Sequence, residues 1–214
     1  MRKQEAALDR PSERRAGSDA PPPYVLYVEG PRDRSILRAW AYRLLASEAR
    51  ALFSDCVILG GRRPERALEH FRASGSRAGL CVLDRDSDEA PTRPAEDGLE
   101  FFTWTRRHIE SYVLVAAAIQ RVLGLPPDDR RVDRILSGLP DPSDTASWQR
   151  LDAKQLLGAR GELAQALERP LSLDRIARAT REHELHADVH ALFERLRAGV
   201  GPEPIRVGRR PARS

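Results

Sequence analysis

Lysine and cysteine are scarce in this chain of 214 residues. Of its 36 basic residues only Lys3 and Lys154 are lysines, so Lys154 stands out against an arginine-rich background. The two cysteines, Cys56 and Cys81, each lie in an apolar run and form no CxxC or Cys/His spacing. The sequence therefore excludes a disulfide-stapled scaffold and predicts two reduced cysteines in the core of a cytosolic protein.

Long hydrophobic runs are also missing. The longest, residues 112–119, is far shorter than the roughly 20 apolar residues that span a bilayer. The N-terminal stretch MRKQEAALDRPSERR has no apolar segment of the kind that a secretory signal needs. We therefore expect a cytoplasmic protein with no membrane partner. The formal net charge of +4 is compatible with nucleic-acid binding but does not identify it.

The first half of the chain alternates between strand and helix patterns. YVLYVE, SDCVILGG, GLCVLDRDSD and LEFFTW are short apolar runs typical of strands buried on both faces. Between them, apolar residues recur at helical spacing after Asp33, and residues 64–73 fit a short helix. This order predicts an α/β fold with a central parallel sheet of about four strands flanked by helices.

The second half has a helical pattern interrupted by prolines. We predict helices over residues 109–123, 130–136, 153–167, 173–180 and 188–196. Composition divides the chain into four parts. They are a disordered leader over 1–22, an α/β core over 23–125, a helical extension over 126–199 and a basic flexible tail over 200–214.

Acidic residues follow three of the predicted strands. They are Glu29 and Asp33 after the first, Asp84, Asp86 and Asp88 after the third, and Glu110 beyond the fourth. Because ligands of parallel α/β sheets bind beyond the carboxyl ends of the strands, neighbouring strands would bring these carboxylates together. So many negative charges need a cation among them, and oxygen ligands suit Mg²⁺ or Mn²⁺. Two ions about 3.5–4 Å apart suit phosphodiester hydrolysis, one activating water and the other stabilising the leaving oxygen.

Each acidic residue also has a simpler interpretation. Asp33 fits a helix N-cap, the Asp84–Asp86 pair fits a solvated loop, and Glu110 fits a first-turn acid that complements a helix dipole. Glu29 is harder to explain in this way, because a charge that finishes a buried strand needs a partner or a role. The order and spacing of the acidic residues taken together favour a metal site.

This ordered set resembles the Toprim domain, which is shared by primases, topoisomerases and some nucleases. The matching pieces are Glu29-Gly30 with Asp33, and Asp84-Arg85-Asp86. The later stretch RRHIESYVL is similar to a segment in the Toprim half of OLD-family nucleases, and also to stand-alone Toprim subunits of bacterial anti-phage systems. The resemblance covers about residues 24–160 and implies a Toprim-like Rossmannoid core with a nuclease activity.

Residue roles follow from this resemblance. It implies that Glu29, Asp33, Asp84, Asp86 and Glu110 hold two divalent metals, with Glu29 also a catalytic residue, and Asp88 is a weaker candidate ligand. Lys154 matches the lysine that stabilises charge on the phosphate. The chain has no GxxxxGK[ST] motif, so any ATP dependence would require a separate ABC- or AAA-type ATPase subunit.

Arginines flank the predicted acidic cluster and are candidates for gripping a nucleic-acid backbone, with DNA favoured over RNA. They are Arg32, Arg34, Arg85, Arg106 and Arg107. The alternative for each arginine is a role in solvating the surface. The sequence leaves the oligomeric state, including a homo-oligomer, open.

Two rival functions and one further metal site are compatible with parts of the sequence. A non-catalytic Toprim subunit that holds an ATPase is disfavoured by the intact acidic residues. A phosphoacceptor receiver domain is disfavoured because Lys154 lies well beyond the strands. His183, His186 and His190 are predicted to share one side of a helix, and a surface role is favoured over zinc binding.

Overall fold

The computed structural model describes residues 24–45, 52–53, 56–85, 96–126 and 128–200. The predicted leader and nearly all of the predicted tail lie outside these residues, as do Asp86 and Asp88. The division of the chain into four parts therefore stays a prediction.

Four parallel strands form the sheet. They are β1 (Tyr24–Val28), β2 (Val57–Ile58), β3 (Ala78–Leu83) and β4 (Leu99–Thr103). Their spatial order is β2-β1-β3-β4, and β1 lies beside β3 with Val28 opposite Val82. The predicted α/β class with a central parallel sheet of about four strands is confirmed. The second strand is shorter than the apolar run SDCVILGG suggested, since only two of its residues pair with β1.

Two helices make the first crossovers. Helix α1 (Pro31–Leu44) begins with proline in its first turn, where a missing N–H is tolerated. Helix α2 (Pro64–Ser74) also begins with proline and ends at Gly75, whose φ of 66° is the left-handed conformation that glycine adopts without strain. Helix α2 therefore starts at the predicted residue and ends one residue beyond the prediction, whereas α1 starts at Pro31, two residues before Asp33, where the sequence pattern placed its beginning.

The helical half contains more breaks than its periodicity indicated. It comprises a 3₁₀ helix (Ile109–Val113), α3 (Ala116–Leu123), α4 (Arg131–Leu136), α5 (Thr145–Arg150), α6 (Ala153–Leu157), α7 (Glu162–Ala166), α8 (Leu173–Ala179), a second 3₁₀ helix (Glu182–Glu184) and α9 (Ala187–Val200).

Two predicted helices are each divided. The prediction of one helix over 109–123 is wrong because Leu114 and Val115 leave helical geometry, although both halves bury apolar residues. The prediction of one helix over 153–167 is wrong because the chain turns between Gly158 and Gly161. A Cβ at Gly161 would lie 2.3 Å from the carbonyl oxygen of Leu156, so only glycine permits that close approach.

Apolar side chains cover both faces of the sheet. The larger cluster joins one face to α1, α3, α8 and α9, and includes Trp40, Ile119 and Phe193. The smaller cluster lies under α2 and contains Phe71 and the fully buried Cys81. Cys56 is half-buried, and both cysteines are free thiols. The helical half thus packs directly on the sheet. Within the described ranges, no helix has the length and apolar content needed to cross a membrane.

Candidate metal centre

The candidate site lies at the carboxyl ends of the two central strands. Glu29 follows β1 directly and Asp84 follows β3 directly, and these strands are neighbours in the sheet. Asp33 is the third residue of α1, and Glu110 is the second residue of the first 3₁₀ helix. Strand adjacency therefore brings acidic residues from three distant chain segments to one edge of the sheet.

Three carboxylates converge at this edge. Asp33, Asp84 and Glu110 each offer an oxygen, and these oxygens all lie within 4.8 Å of one another. Asp84 and Glu110 are 3% and 1% exposed, whereas Asp33 is partly exposed. We refer to these three residues as the acidic triad. Among the described residues, no other group of three or more acidic, histidine or cysteine side chains has this geometry, and His183, His186 and His190 form none.

Asp33, within the first turn of α1, accepts a hydrogen bond from the N-cap residue of that helix. Gly30 is the N-cap residue of α1, and its backbone N–H donates to Oδ2 of Asp33 at 2.6 Å. The alternative of Asp33 as the N-cap is therefore wrong, because Asp33 occupies the third helical position and reaches back to the cap. One Asp33 oxygen holds the turn while the carboxylate faces the other two acidic residues.

Glu29 lies beside the acidic triad rather than within it. Its Oε1 accepts the backbone N–H of Asp84 at 2.8 Å, so it ties the end of β1 to the end of β3. Asp84 is held twice more, since Oδ1 accepts the N–H of Ile109 at 2.9 Å and Oδ2 accepts Nζ of Lys154 at 2.7 Å. Of the five predicted metal ligands, three form the triad, Glu29 adjoins it, and Asp86 lies outside the described residues.

Lys154 reaches Asp84 from the helical half of the chain. Helix α6 begins at Asp152, whose side chain accepts the N–H of Gln155 at 2.9 Å and so fixes the first turn that carries Lys154. The preceding segment is tied to the residues after β4, because the backbone N–H of Arg107 donates to the carbonyl of Trp148. A residue 70 positions along the chain from Asp84 is thereby brought to the triad.

The negative charge of the triad is only partly offset. Lys154 pairs with Asp84, and Arg32, whose side chain is 58% exposed, pairs with Oε1 of Glu110 at 3.3 Å. The second oxygen of Glu110, Oε2, is buried and has no hydrogen-bond partner among the described residues. Burial, followed by repulsion from Asp84 and then Glu110, raises the pKa of Asp33 from its ordinary value to about 7.

The predicted nucleic-acid arginines have different surroundings. Arg32 is exposed at the triad and Arg34 is half-buried. Arg85 donates from Nε to the carbonyl of Trp104 at 3.3 Å, and Arg107 donates from Nη1 to the carbonyl of Arg150 at 3.3 Å.

Arg106 has a packing role. Its guanidinium lies 3.6 Å from the ring centroid of Trp148, and its Nη1 donates to the carbonyl of Ser111 at 3.0 Å. Burial lowers the pKa of Arg106. This side chain holds the first 3₁₀ helix against α5, which fixes the segment that presents Glu110.

Two features near the triad were not predicted from the sequence. Tyr112, which is 3% exposed, donates its hydroxyl to Asp188 of α9 and accepts the N–H of Arg106 at 2.9 Å. Arg62, in the turn after β2, donates from Nε to the carbonyl of Asp84 at 3.2 Å. The glycine pair before Arg62 was the one signal in the sequence that this turn approaches the strand ends.

Fold and site together define a parallel α/β protein with an acidic cluster at the carboxyl edge of its sheet. Such a cluster is suited to binding a hard divalent cation through oxygen ligands.

Comparisons with known proteins gave structural likenesses only. No family model matches the chain, and no curated protein matches it. Among solved structures, the chain is similar to the C-terminal region of the Xanthomonas campestris pv. campestris OLD protein, with 16% identity, a TM-score of 0.46, and coverage of 83% of this chain and 95% of that one. The C-terminal region of the Burkholderia pseudomallei OLD protein is similar with 16% identity and a TM-score of 0.44, covering 84% of this chain and 99% of that one.

Both structures are regions of OLD proteins, the family that the sequence motifs resemble. At this identity and these TM-scores, the two structures support no residue role in this chain.

Proposed function

We propose that this protein is a metal-dependent nuclease that hydrolyses nucleic-acid phosphodiesters at the acidic triad. The observation that carries the proposal is the convergence of Asp33, Asp84 and Glu110, with a buried oxygen of Glu110 that no described residue satisfies. A buried acceptor without a donor is destabilising by about 1–3 kcal/mol, more if charged, and is accordingly rare in folded proteins. A cation is the natural partner for it.

The donor set fits Mg²⁺ or Mn²⁺. All three ligand candidates are carboxylates, and no sulfur or imidazole lies in the triad, which favours a hard cation. The raised pKa of Asp33 is consistent with this conclusion, because it reflects burial first and then repulsion from Asp84 and Glu110, and a bound cation would stabilise the charged carboxylate against both. When bound, such ions supply Lewis-acid stabilisation of the reacting phosphate and a more acidic water.

The surrounding residues have roles that follow from their contacts. Glu29 holds the backbone of Asp84 in place, and its carboxylate adjoins the triad, where we assign it to catalysis and to a second cation together with Asp86. Lys154, now paired with Asp84, is placed to neutralise charge on the phosphate once a cation takes over that carboxylate. The Lys154 side chain is 39% exposed and so can shift toward a substrate.

The substrate is assigned from charge. Arg32 and Arg34 lie on the first turn of α1, next to Asp33, where a phosphate backbone approaching the triad would meet them. Arg85 and Arg107 adjoin the site with part of each guanidinium used on carbonyls. We propose DNA rather than RNA as the substrate. We also propose a cytoplasmic role in anti-phage defence or DNA processing, with a separately encoded ATPase as partner.

A second function is favoured by a different observation. The ion pairs of Lys154 with Asp84 and of Arg32 with Glu110 already neutralise two of the three acidic residues without any metal. A non-catalytic Toprim-like subunit that holds an ATPase would need such internal neutralisation. The two functions differ in one respect, since only the nuclease needs the triad to bind a divalent cation.

A nuclease assay tests the proposed function. Purified protein, alone and with a co-encoded ATPase, is incubated with single-stranded and double-stranded DNA and with RNA in Mg²⁺ or Mn²⁺. We expect cleavage by the wild type and a loss of at least about 100-fold in Glu29→Gln and Glu110→Gln. Both variants keep the side-chain shape, and glutamine at position 29 still offers an oxygen to the N–H of Asp84.

Glu100→Gln is the matched control, because Glu100 lies on β4 with a side chain that is 66% exposed. We expect it to cleave as the wild type does. Persistent inactivity of the wild type, with and without the ATPase, would favour the non-catalytic subunit. Cleavage at the wild-type rate by Glu110→Gln would remove the triad from the mechanism.

A further inference from the structure

We infer that Arg62 forms an anion subsite that binds a non-bridging oxygen of the substrate phosphate beside the acidic triad. This inference deepens the proposed function and rests on it. It adds a residue that neither the sequence motifs nor the comparisons assign.

The turn that carries Arg62 is fastened to the site. The backbone N–H groups of Gly60 and Gly61 both donate to the carbonyl of Glu29, at 3.0 Å and 2.9 Å. The two glycines have φ angles of 74° and 115°, a region that other residues enter only with strain. The chain thus folds tightly over the end of β1, and Arg62 comes next, beside the end of β3.

The guanidinium of Arg62 has one nitrogen that is hydrogen-bonded and another that has no hydrogen-bond partner among the described residues. Nε donates to the carbonyl of Asp84 at 3.2 Å. Nη2 is buried and has no hydrogen-bond partner within the part of the chain that the structure describes. An unpaired N–H on a buried cation is more destabilising than one on a neutral group, so its persistence calls for a ligand. The residue as a whole is half-buried, which places it at the rim of the site and not in the core.

An oxygen of the acidic triad has the opposite requirement to Arg62, which contacts the backbone of the triad residue Asp84. Glu110 has a buried acceptor without a donor, and Arg62 has a buried donor without an acceptor. The unpaired oxygen of Glu110 requires a cation, and the unpaired N–H of Arg62 requires an anionic oxygen. A divalent cation with a phosphodiester supplies both at once, since the ester carries negatively charged oxygens that a guanidinium binds well.

A purely structural role for Arg62 makes a different prediction. If Arg62 served only to hold the carbonyl of Asp84, its removal would disturb the triad and weaken cation binding. If it binds substrate, its removal leaves cation binding intact and weakens binding of the charged phosphate. Arg63 is the matched control, because it is the next arginine in the chain and is exposed.

The test uses two dinucleotides, thymidylyl-thymidine and its uncharged methylphosphonate analogue. Binding of each is followed by NMR titration to the wild type, Arg62→Ala, Arg62→Lys and Arg63→Ala, in metal-free buffer and in Mg²⁺. Mg²⁺ affinity is measured separately by calorimetry without dinucleotide, and circular dichroism checks folding. If Arg62→Ala does not fold, Arg62→Lys is compared with the wild type instead. Lysine keeps the positive charge but lacks the two parallel N–H donors of a guanidinium.

We expect the wild type and Arg63→Ala to bind the charged dinucleotide at least about 10-fold more tightly than the neutral one. Arg62→Ala should lower this preference by at least about fivefold, with the remainder due to Lys154, Arg32 and the cation. Arg62→Lys should be intermediate, and Mg²⁺ affinity should change by less than about threefold. The inference is overturned if Arg62→Ala keeps the wild-type preference for the charged dinucleotide, or if its Mg²⁺ affinity falls by as much as its affinity for that dinucleotide. Failure of the wild type to bind Mg²⁺ would instead refute the proposed function, and the metal-free titration would still report on Arg62.

Discussion

Replacing Asp33 with asparagine should stabilise the metal-free protein at neutral pH. Asp33 is the triad member whose pKa is raised to about 7, first by burial and then by repulsion from Asp84 and Glu110. Asparagine removes the charge and keeps an oxygen that can accept the N–H of Gly30, as Oδ2 of Asp33 does at 2.6 Å. The substitution therefore isolates the electrostatic effect from the helix cap.

The sign and size follow from proton binding. Between pH 4 and pH 7, roughly, the folded chain keeps a proton on Asp33 that the unfolded chain has already released. The free energy of unfolding of the wild type therefore falls as pH rises through this window. The full shift, from 3.8 to about 7, corresponds to about 4 kcal/mol. Because water screens a partly exposed carboxylate, we expect about 1–3 kcal/mol to be measured at pH 8.

The assay is urea denaturation at pH 4.5, 6 and 8 in EDTA and in Mg²⁺, with wild type, Asp33→Asn and the surface control Asp128→Asn, whose aspartate is exposed. In EDTA, Asp33→Asn should exceed the wild type in stability at pH 8 and match it at pH 4.5. Mg²⁺ should stabilise the wild type more at pH 8 than at pH 4.5 and should have little effect on Asp33→Asn. Equal stability of the two proteins at pH 8 in EDTA would refute the reasoning, because the triad would then hold no uncompensated charge.

Three further substitutions have separable outcomes. Lys154→Ala should lower cleavage by about 100-fold while Mg²⁺ binding is retained, since the ammonium group stabilises the phosphate and not the metal; loss of Mg²⁺ binding would contradict this role. Arg32→Ala should tighten Mg²⁺ binding up to about fivefold by freeing Glu110, and should lower the free energy of unfolding of the metal-free protein by about 1–3 kcal/mol because the buried Glu110 carboxylate loses its cationic partner; a weaker Mg²⁺ affinity would contradict this role of the ion pair. Trp148→Ala should lower the free energy of unfolding by about 3–5 kcal/mol, since the indole is 5% exposed, and a change below 1 kcal/mol would contradict its packing role.

Much of the fold could be predicted because its signals are local. The strands are continuous apolar runs, and the proline at the start of α2 and the glycine at its end are punctuation that sequence reasoning recognises. The helix breaks at Val115 and Gly158 could not be predicted in this way. Both sides of each break bury apolar residues, so the hydrophobic period continues through the break.

The acidic triad could be anticipated from topology alone. Residues that follow neighbouring parallel strands must lie close together, and this places Asp84 near the turn that leads to Asp33. The sequence could not show that Glu29 would turn to the backbone of Asp84 while Glu110 completed the triad. That difference depends on side-chain orientation, which the spacing of acidic residues does not encode.

Arginine roles were the least predictable from sequence. Arg62 and Arg106 both lie near the site in a chain rich in arginine, and their local sequences do not show which contacts each guanidinium makes. Their functions differ because Arg106 meets an indole face and a carbonyl, whereas Arg62 meets one carbonyl and keeps a donor unpaired. Such distinctions arise from tertiary packing between segments that are far apart in sequence.

Crystals grown with Mn²⁺ would test the central claim most directly through anomalous diffraction at the manganese edge. We predict an anomalous peak from a Mn²⁺ ion coordinated by oxygens of Asp33, Asp84 and Glu110. The ion pair between Lys154 and Asp84 should then be broken. An absent peak at saturating Mn²⁺, with Lys154 still paired to Asp84 and Arg32 to Glu110, would contradict the claim that this acidic triad is a metal centre.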